Sequence, residues 1–279
     1  MGLPADSHVH SQWSWDAFAG TMQGVCARAV DLGLPAIAFT EHVDHTVWTV
    51  DRDELDEGSF LATVAGPDGR LTPPPFDAAG YLESIEDCRE RFPGLRILSG
   101  LEAGEPHWHA PAIGKILAAG PFDRVLGSLH CLPDNGGYAE PPDLFRHRAP
   151  AEVVRQYLAE VAALIAGSDV FTVLAHIDFP VRYWPAHAGP FDPYAFEEEF
   201  RHALRLLADS GRALEVNTCV PLHPEIVRWW REEGGSAITF GSDAHEPDEL
   251  ARGFATAVDM VQAHGFRPGR DPHDYWIAA

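Results

Sequence analysis

Residues 172–218 read TVLAHIDFPVRYWPAHAGPFDPYAFEEEFRHALRLLADSGRALEVNT, and their patterning decides the fold class. The stretch opens on a short apolar, β-branched run that ends in polar residues, TVLAHID (172–178), and closes on another, LEVNT (214–218). Between them, residues 192–211 carry helical periodicity, with Phe196, Phe200, Ala203, Leu204, Leu207 and Ala208 on one face. Asp192 and Pro193 are a helix-start signal and Gly211 a stop. Strand, helix and strand in this order make a crossover unit, whose two strands run parallel.

Working outward, similar runs recur at DSHVH (6–10), AIAFTEH (36–42), RILSGLEAG (96–104), RVLGSLH (124–130) and ITFGSDAH (238–245), giving seven expected strands in all. Helical patterning lies between them at 151–166, where Val153, Val154, Tyr157, Leu158, Val161, Leu164 and Ile165 align, and at 20–32, 77–92, 223–233 and 247–264. Alternation with near-continuous apolar strands predicts an α/β fold with both sheet faces covered: a distorted (β/α)7 barrel, in preference to an open sheet, forming a single domain over 1–279. Two segments interrupt the alternation, 43–76 with its Pro73–Pro75 run and 132–150 with Gly136, Gly137 and several prolines. Each follows the C-terminal end of a strand, the edge that carries the active site in such barrels, so both are expected to be active-site loops.

Composition narrows the function. A net charge of −22, from 42 acidic against 20 basic side chains, opposes binding to a nucleic-acid backbone and favours a small-molecule partner. The N-terminus has neither a basic nor an apolar targeting region, and Asp6 stands where a myristoylation motif needs Ser or Thr. No run is long enough to span a bilayer, so no membrane partner and a cytoplasmic location are expected. Cys26, Cys88, Cys131 and Cys219 lack paired short spacings, which argues for reduced thiols and against a zinc-finger framework.

The 15 histidines acquire meaning from where they fall. Six of the expected strands end in His, Asp or Glu: His8 and His10, His42, Glu102, His130, His176, and Asp243 with His245. One strand-end polar residue is ordinarily a hydrogen-bonding turn residue. Parallel strands, however, would deliver all six groups to one rim. The two-residue period of a strand points His8 and His10 to the same side, and Asp243 and His245 repeat that geometry. Asp16 follows in the loop after the first strand. Imidazole mixed with carboxylate suits Zn, Mn or Fe better than Ca or Mg.

These blocks, DSHVH, TEH, the SLH and AHID pair and GSDAH, resemble those of the polymerase-and-histidinol-phosphatase superfamily across nearly the whole chain. The resemblance implies three divalent metal ions at the C-terminal ends of the barrel strands. It would assign His8, His10, Glu102 and Asp243 to one ion, Glu102 with His130 and His176 to a second, and Asp16, His42 and His245 to the third. The implied reaction is hydrolysis of a phosphomonoester by a hydroxide shared between two ions, since metals depress the pKa of bound water. The order and spacing of the blocks resemble the histidinol-phosphatase branch, which makes histidinol phosphate the leading substrate.

Around this set, Arg182 lies where similar phosphatases place a basic residue and is expected to clamp a phosphate. Asp178 either protonates the leaving alkoxide or orients His176. Ser128 and Asn217 are candidate substrate contacts, whereas His107 and His109, in GEPHWH after Glu102, are expected in a substrate loop or at the surface. Rival readings are a phosphodiesterase or nuclease, a protein-tyrosine phosphatase, and an amidohydrolase. The last usually bridges its metals with a carboxylated lysine, and the single lysine here, Lys115, is not at a strand end.

Overall fold

In the computed structural model, which describes residues 2–50, 60–271, 273 and 275–279, the chain folds as an α/β protein around one curled nine-stranded sheet. The strands among the described residues are Asp6–Val9 (β1), Ala36–Val43 (β2), Trp48–Thr49 (β3), Arg70–Leu71 (β4), Arg96–Gly104 (β5), Arg124–Ser128 (β6), Leu132–Asp134 (β7), Gly137–Ala139 (β8), Val173–Leu174 (β9), Ala213–Asn217 (β10), Ala237–Gly241 (β11), Phe266–Arg267 (β12) and Trp276–Ala278 (β13). The α-helices are Met22–Leu32 (α1), Phe60–Val64 (α2), Ala78–Arg91 (α3), Pro106–Leu117 (α4), Pro141–His147 (α5), Pro150–Gly167 (α6), Glu197–Asp209 (α7), Pro224–Glu232 (α8) and Phe254–Ala263 (α9).

The large sheet runs β1-β2-β5-β6-β9-β10-β11-β13-β12. Every pairing from β1 to β11 is parallel, and β13 and β12 add antiparallel at the far edge. A parallel bridge between Val9 and Ala244 brings the first strand against the chain just past β11, so the sheet curls back on itself. Parallel direction places the C-terminal end of each of these strands on the same rim. Register then sets neighbours: His42 lies directly opposite Glu102, and Glu102 opposite Leu126.

The helices cover the outside of the curl. In α7, Phe200, Ala203, Leu204 and Leu207 are buried, on the face the periodicity selects, and they join the main core with Trp229 and Trp230 of α8. Burying side chains of this size stabilises by about 1.5–3 kcal/mol each. A smaller apolar cluster of Leu126, Val173, Ala175 and Ala213 packs separately. Ala213 is two residues before Glu215 on β10, so the face that carries the polar residues at the rim is apolar lower down.

Several elements end earlier than their patterning suggests. The helix expected over 192–211 divides into a 3-10 turn, Pro193–Phe196, capped by Asp192 onto Tyr194 N at 3.1 Å, and α7 itself. Residues 172–178 contribute only Val173–Leu174 to the ladder, because the chain turns into a 3-10 helix at Phe179–Tyr183. The segment 106–117, unassigned by pattern, is helical, with Pro106 in its first turn. Of the excursion 43–76, residues 51–59 lie outside the described residues, and the remainder forms α2 and a small antiparallel pair, β3 with β4. The excursion 132–150 is not an open loop: it contains the antiparallel pair β7 and β8 and then α5.

Candidate metal centre

Six strand ends deliver their polar residues to one point. His8 lies within β1 and His10 just past it; His42 is in β2, Glu102 in β5, and His130, His176, Asp243 and His245 follow the ends of β6, β9 and β11. His8, His10 and Glu102 are fully buried. Glu102 is the hub. Its Oε2 lies 3.2 Å from His8 Nε2, 3.5 Å from His10 Nε2 and 3.0 Å from His42 Nδ1, and its Oε1 lies 2.7 Å from His176 Nε2 and 3.2 Å from His130 Nε2. Five imidazoles therefore face a single carboxylate.

Asp243 Oδ1 is 3.1 Å from His10 Nε2 and 3.5 Å from His8 Nε2. Asp16 Oδ2 is 3.4 Å from His42 Nε2 and 3.3 Å from His245 Nε2, and the His10 ring stands 4.3 Å from the rings of both His42 and His245. Four sets of ligand atoms converge to within 4.8 Å: His8, His10 and Asp243; His8, Glu102 and His176; His10, His42 and His245; and His42, Asp44 and His130. All nine expected positions are thus brought together, and Asp44 joins them unforeseen.

This donor set fits divalent cations better than a closed hydrogen-bond network. With His8 Nδ1 donating to Glu215 and His10 Nδ1 to Ser14 Oγ, neutral rings leave both Nε2 lone pairs facing each other 3.1 Å apart, an arrangement that a cation between them satisfies. Glu102 Oε2, His42 Nδ1 and Asp16 Oδ1 are buried without a hydrogen bond of good geometry. The electrostatics agree. Burial works to raise the Glu102 carboxyl, but His8, His42 and His130 outweigh it and hold the group well below the usual range. Asp243 is likewise held low against its burial, by Arg182 and His8. His10 is pushed down to about 3, by burial and then by His42 and His245.

Outside the convergent atoms stands a shell of buried carboxylates. Glu215 Oε1 accepts from His8 Nδ1 at 2.7 Å, and its Oε2 accepts from the backbone N–H of His176 at 2.8 Å. Glu41 holds Ser11 and Ser14, and Ser14 Oγ in turn lies 2.9 Å from His10 Nδ1. Glu105 accepts from the backbone N–H groups of His130 and Cys131 at 2.7 and 2.9 Å. Such partners fix ring orientation and tautomer in metal sites. Sequence reasoning missed all of them. A signal existed for Glu215, a carboxylate inside the otherwise apolar strand LEVNT, and Glu105 stands directly after the expected strand 96–104, whereas Asp44 depends on how the first excursion folds back.

Two devices make room and aim. A Cβ on Gly241 would collide with Glu215 Oε1 and His8 Cβ, so only glycine lets β11 pass this close. Asp243 and Glu105 have φ of 55° and 43°, in the left-handed region that non-glycine residues seldom adopt. Strain of this kind persists where surrounding contacts impose it, as at functional sites.

A cavity of about 400 Å³ opens over the centre, with Arg182 in its wall. Arg182 donates to Asp243 Oδ2 and stacks over Phe179, its guanidinium carbon 5.1 Å from the ring centre. Trp48 and Leu61 from the first excursion, and Cys131, Glu140 and Pro142 from the second, also line it. Asp178, Ser128 and Asn217 are buried and stand outside that lining. Burial raises the Asp178 carboxyl to about 6 against the lowering effect of Arg182. Ser128 Oγ donates to the Ala103 carbonyl at 3.3 Å, and Asn217 Nδ2 donates to Glu215 Oε2 at 3.0 Å. His107 and His109 sit in the first turn of α4, not in an extended loop, because Pro106 begins a helix there. His107 pairs with Glu160 at 2.8 Å, and His109 meets Thr46 Oγ1 at 2.8 Å. Cys219 is half-buried, and the other three thiols are buried and free. Among the described residues no helix is long and apolar enough to cross a membrane.

Comparison with known proteins agrees with this architecture. The chain is similar to a probable histidinol-phosphatase of Deinococcus radiodurans, 28% identical with 94% of each chain covered. It is also similar to a histidinol-phosphatase of Lactococcus lactis, 26% identical over 94% of this chain and 91% of the other. The crystal structure of histidinol phosphate phosphatase from Lactococcus lactis, complexed with zinc, L-histidinol and phosphate, matches with a TM-score of 0.80 at 22% identity and covers 99% of both chains, a likeness of fold. The PHP domain family model matches residues 6–219, and with that share of its length the chain belongs to the PHP domain family.

Proposed function

We propose that this protein is a metal-dependent phosphomonoesterase that converts histidinol phosphate to histidinol and phosphate, a step of histidine biosynthesis, in the cytoplasm. The observation that carries the reading is Glu102: one buried carboxylate faced by five imidazole nitrogens, flanked by Asp243 and Asp16. The similarity over almost full length to proteins named histidinol-phosphatase supports the substrate. In this reading the chain is one domain over 1–279, a distorted (β/α)7 barrel with its metals at the strand C-termini, and 43–76 and 132–150 are active-site loops.

Three ions would be held by His8, His10, Glu102 and Asp243; by Glu102, His130 and His176; and by Asp16, His42 and His245. Zn, Mn and Fe suit these donors. When bound, such ions activate water at neutral pH and neutralise phosphoryl oxygens. The protein's own groups do the rest. Glu215 and Glu105 orient His8 and His130, and Arg182, fixed by Asp243 and Phe179, offers its remaining donors to the phosphate. Asp178 either protonates the leaving alkoxide or holds the turn after His176. Ser128 and Asn217 act through Ala103, Glu215 and Asp243 in preference to touching substrate.

The net charge of −22 weighs against a nuclease, because a polyanion meets repulsion along its length while a small dianion reaches a local cluster of cations. Metal analysis should find close to three divalent ions per chain, and a chelator should abolish turnover. The substrate test is kcat/KM on histidinol phosphate, other sugar and amino-alcohol phosphates, a diester and an oligonucleotide. Preference for the diester or oligonucleotide overturns the monoesterase reading; preference for another small monoester overturns only the named substrate.

A further inference from the structure

The cavity is lined by six carboxylates, and five of them are engaged. Glu102 and Asp243 face imidazoles, Asp16 faces His42 and His245, and Asp44 meets His130 Nδ1 at 3.3 Å and accepts from Trp15 Nε1 at 2.9 Å. Glu105 accepts from two backbone N–H groups and from Thr46 Oγ1 at 2.5 Å. The sixth is Glu140, held between β8 and the first turn of α5. Its backbone carbonyl accepts from Leu144 N at 3.2 Å, while its carboxylate has no hydrogen-bond or ion-pair partner among the described residues. Glu140 is half-buried in the cavity wall, so its carboxylate faces the space a ligand would enter and is free to pair with it.

Its surroundings specify the ligand's charge. Burial, together with Asp143, Asp44 and Glu105, pushes the Glu140 carboxyl up to about 8 although His130 pulls the other way. Burial is the largest of these causes and the three neighbouring carboxylates add to it, and a cation beside Glu140 offsets both. Pro142, Phe179, Tyr183 and Trp48 line the same cavity and present apolar and aromatic surface. The Phe179 and Tyr183 rings stand 5.5 Å apart, edge to face. Thus the cavity joins a phosphate-seeking centre with Arg182 to a lone carboxylate among aromatic rings.

Resting on the phosphomonoesterase reading, we propose that Glu140 is a specificity-determining residue that binds the ammonium group of an amino-alcohol phosphate and sets this class above neutral alkyl phosphates. Pro141 and Pro142 stiffen the backbone immediately after Glu140, since both lie in the first turn of α5, for which Glu140 is the N-cap residue.

The test compares L-histidinol phosphate with its desamino analogue, 3-(imidazol-4-yl)propyl phosphate, on metal-loaded enzyme, with an aryl phosphate as a third substrate. Wild-type enzyme should favour the amino compound in kcat/KM by about 10- to 100-fold, the range of one charge-assisted hydrogen bond. In Glu140→Gln that ratio should collapse towards unity, mostly through KM, and Glu140→Asp should restore part of it. A wild type that turns over both compounds equally overturns the assignment without using any variant. A ratio unchanged in Glu140→Gln overturns it as well. Aryl phosphate turnover with neither imidazole compound accepted overturns the substrate reading, and the ammonium assignment falls with it. Turnover of histidinol phosphate with no amino preference leaves the substrate reading intact and removes only Glu140.

Discussion

Replacing Glu215 by glutamine isolates the orienting shell from the ligand atoms, because it keeps side-chain volume and removes one charge. In the native site both carboxylate oxygens accept, one from His8 Nδ1 at 2.7 Å and the other from His176 N at 2.8 Å and Asn217 Nδ2 at 3.0 Å. An amide has one acceptor and one donor end. If its oxygen faces His176, its NH2 meets His8 Nδ1 and forces the ring proton onto Nε2, taking away the lone pair aimed at Glu102 and Asp243. If its oxygen faces His8, two buried donors, the His176 N–H and the amide, point at each other. An unsatisfied buried donor costs about 1–3 kcal/mol, and loss of such an orienting partner typically costs about 10- to 100-fold in metal affinity or activity. The expected result is a metal content below wild type, kcat/KM on an aryl phosphate reduced about 10- to 100-fold and partly recovered by added metal, and a Tm lower by about 2–10 °C. Wild-type metal content, activity and Tm together would refute the reasoning that Glu215 sets the His8 tautomer.

The ligand atoms themselves are less forgiving. Glu102→Gln and Asp243→Asn should each abolish turnover while circular dichroism stays native, since each removes a charge from the centre without changing volume. Asp178→Asn should slow alkyl phosphates far more than aryl phosphates, whose leaving groups need no proton; equal losses on both assign Asp178 to orientation alone. Gly241→Ala should lower metal content even with added metal, because the new methyl group displaces the Glu215 carboxylate and His8. A well-folded variant with full metal content would show that β11 can shift to admit it.

Much of the design is written locally. The seven parallel strands and most of the helices that cover them follow from hydrophobic period, though α4 and α5 do not, and the candidate ligands follow as well, because a strand-end His, Asp or Glu in a parallel sheet has one place to go. The periodicity of 192–211 places Phe200, Leu204 and Leu207 inward, and the structure buries all three. Boundaries are less legible. Capping by Asp192 gives a 3-10 turn before α7, and the 3-10 helix at Phe179–Tyr183 takes the chain out of β9 after two residues, both matters of local hydrogen bonding that period alone does not encode.

What only the tertiary structure decided is which buried carboxylates support the centre and which one is left over. His8 and Glu215 are 207 residues apart, and their 2.7 Å contact exists only because β1 and β10 lie on one curled sheet whose first strand meets the chain beyond β11. Asp44 and Glu140 come from segments without strong period, so their positions depend on how the excursions fold over the rim, and the backbone N–H groups that Glu105 accepts from belong to His130 and Cys131, 25 and 26 residues further on. Chain sequence specifies these side chains and their chemistry; their partners are set by long-range packing, which no local pattern contains.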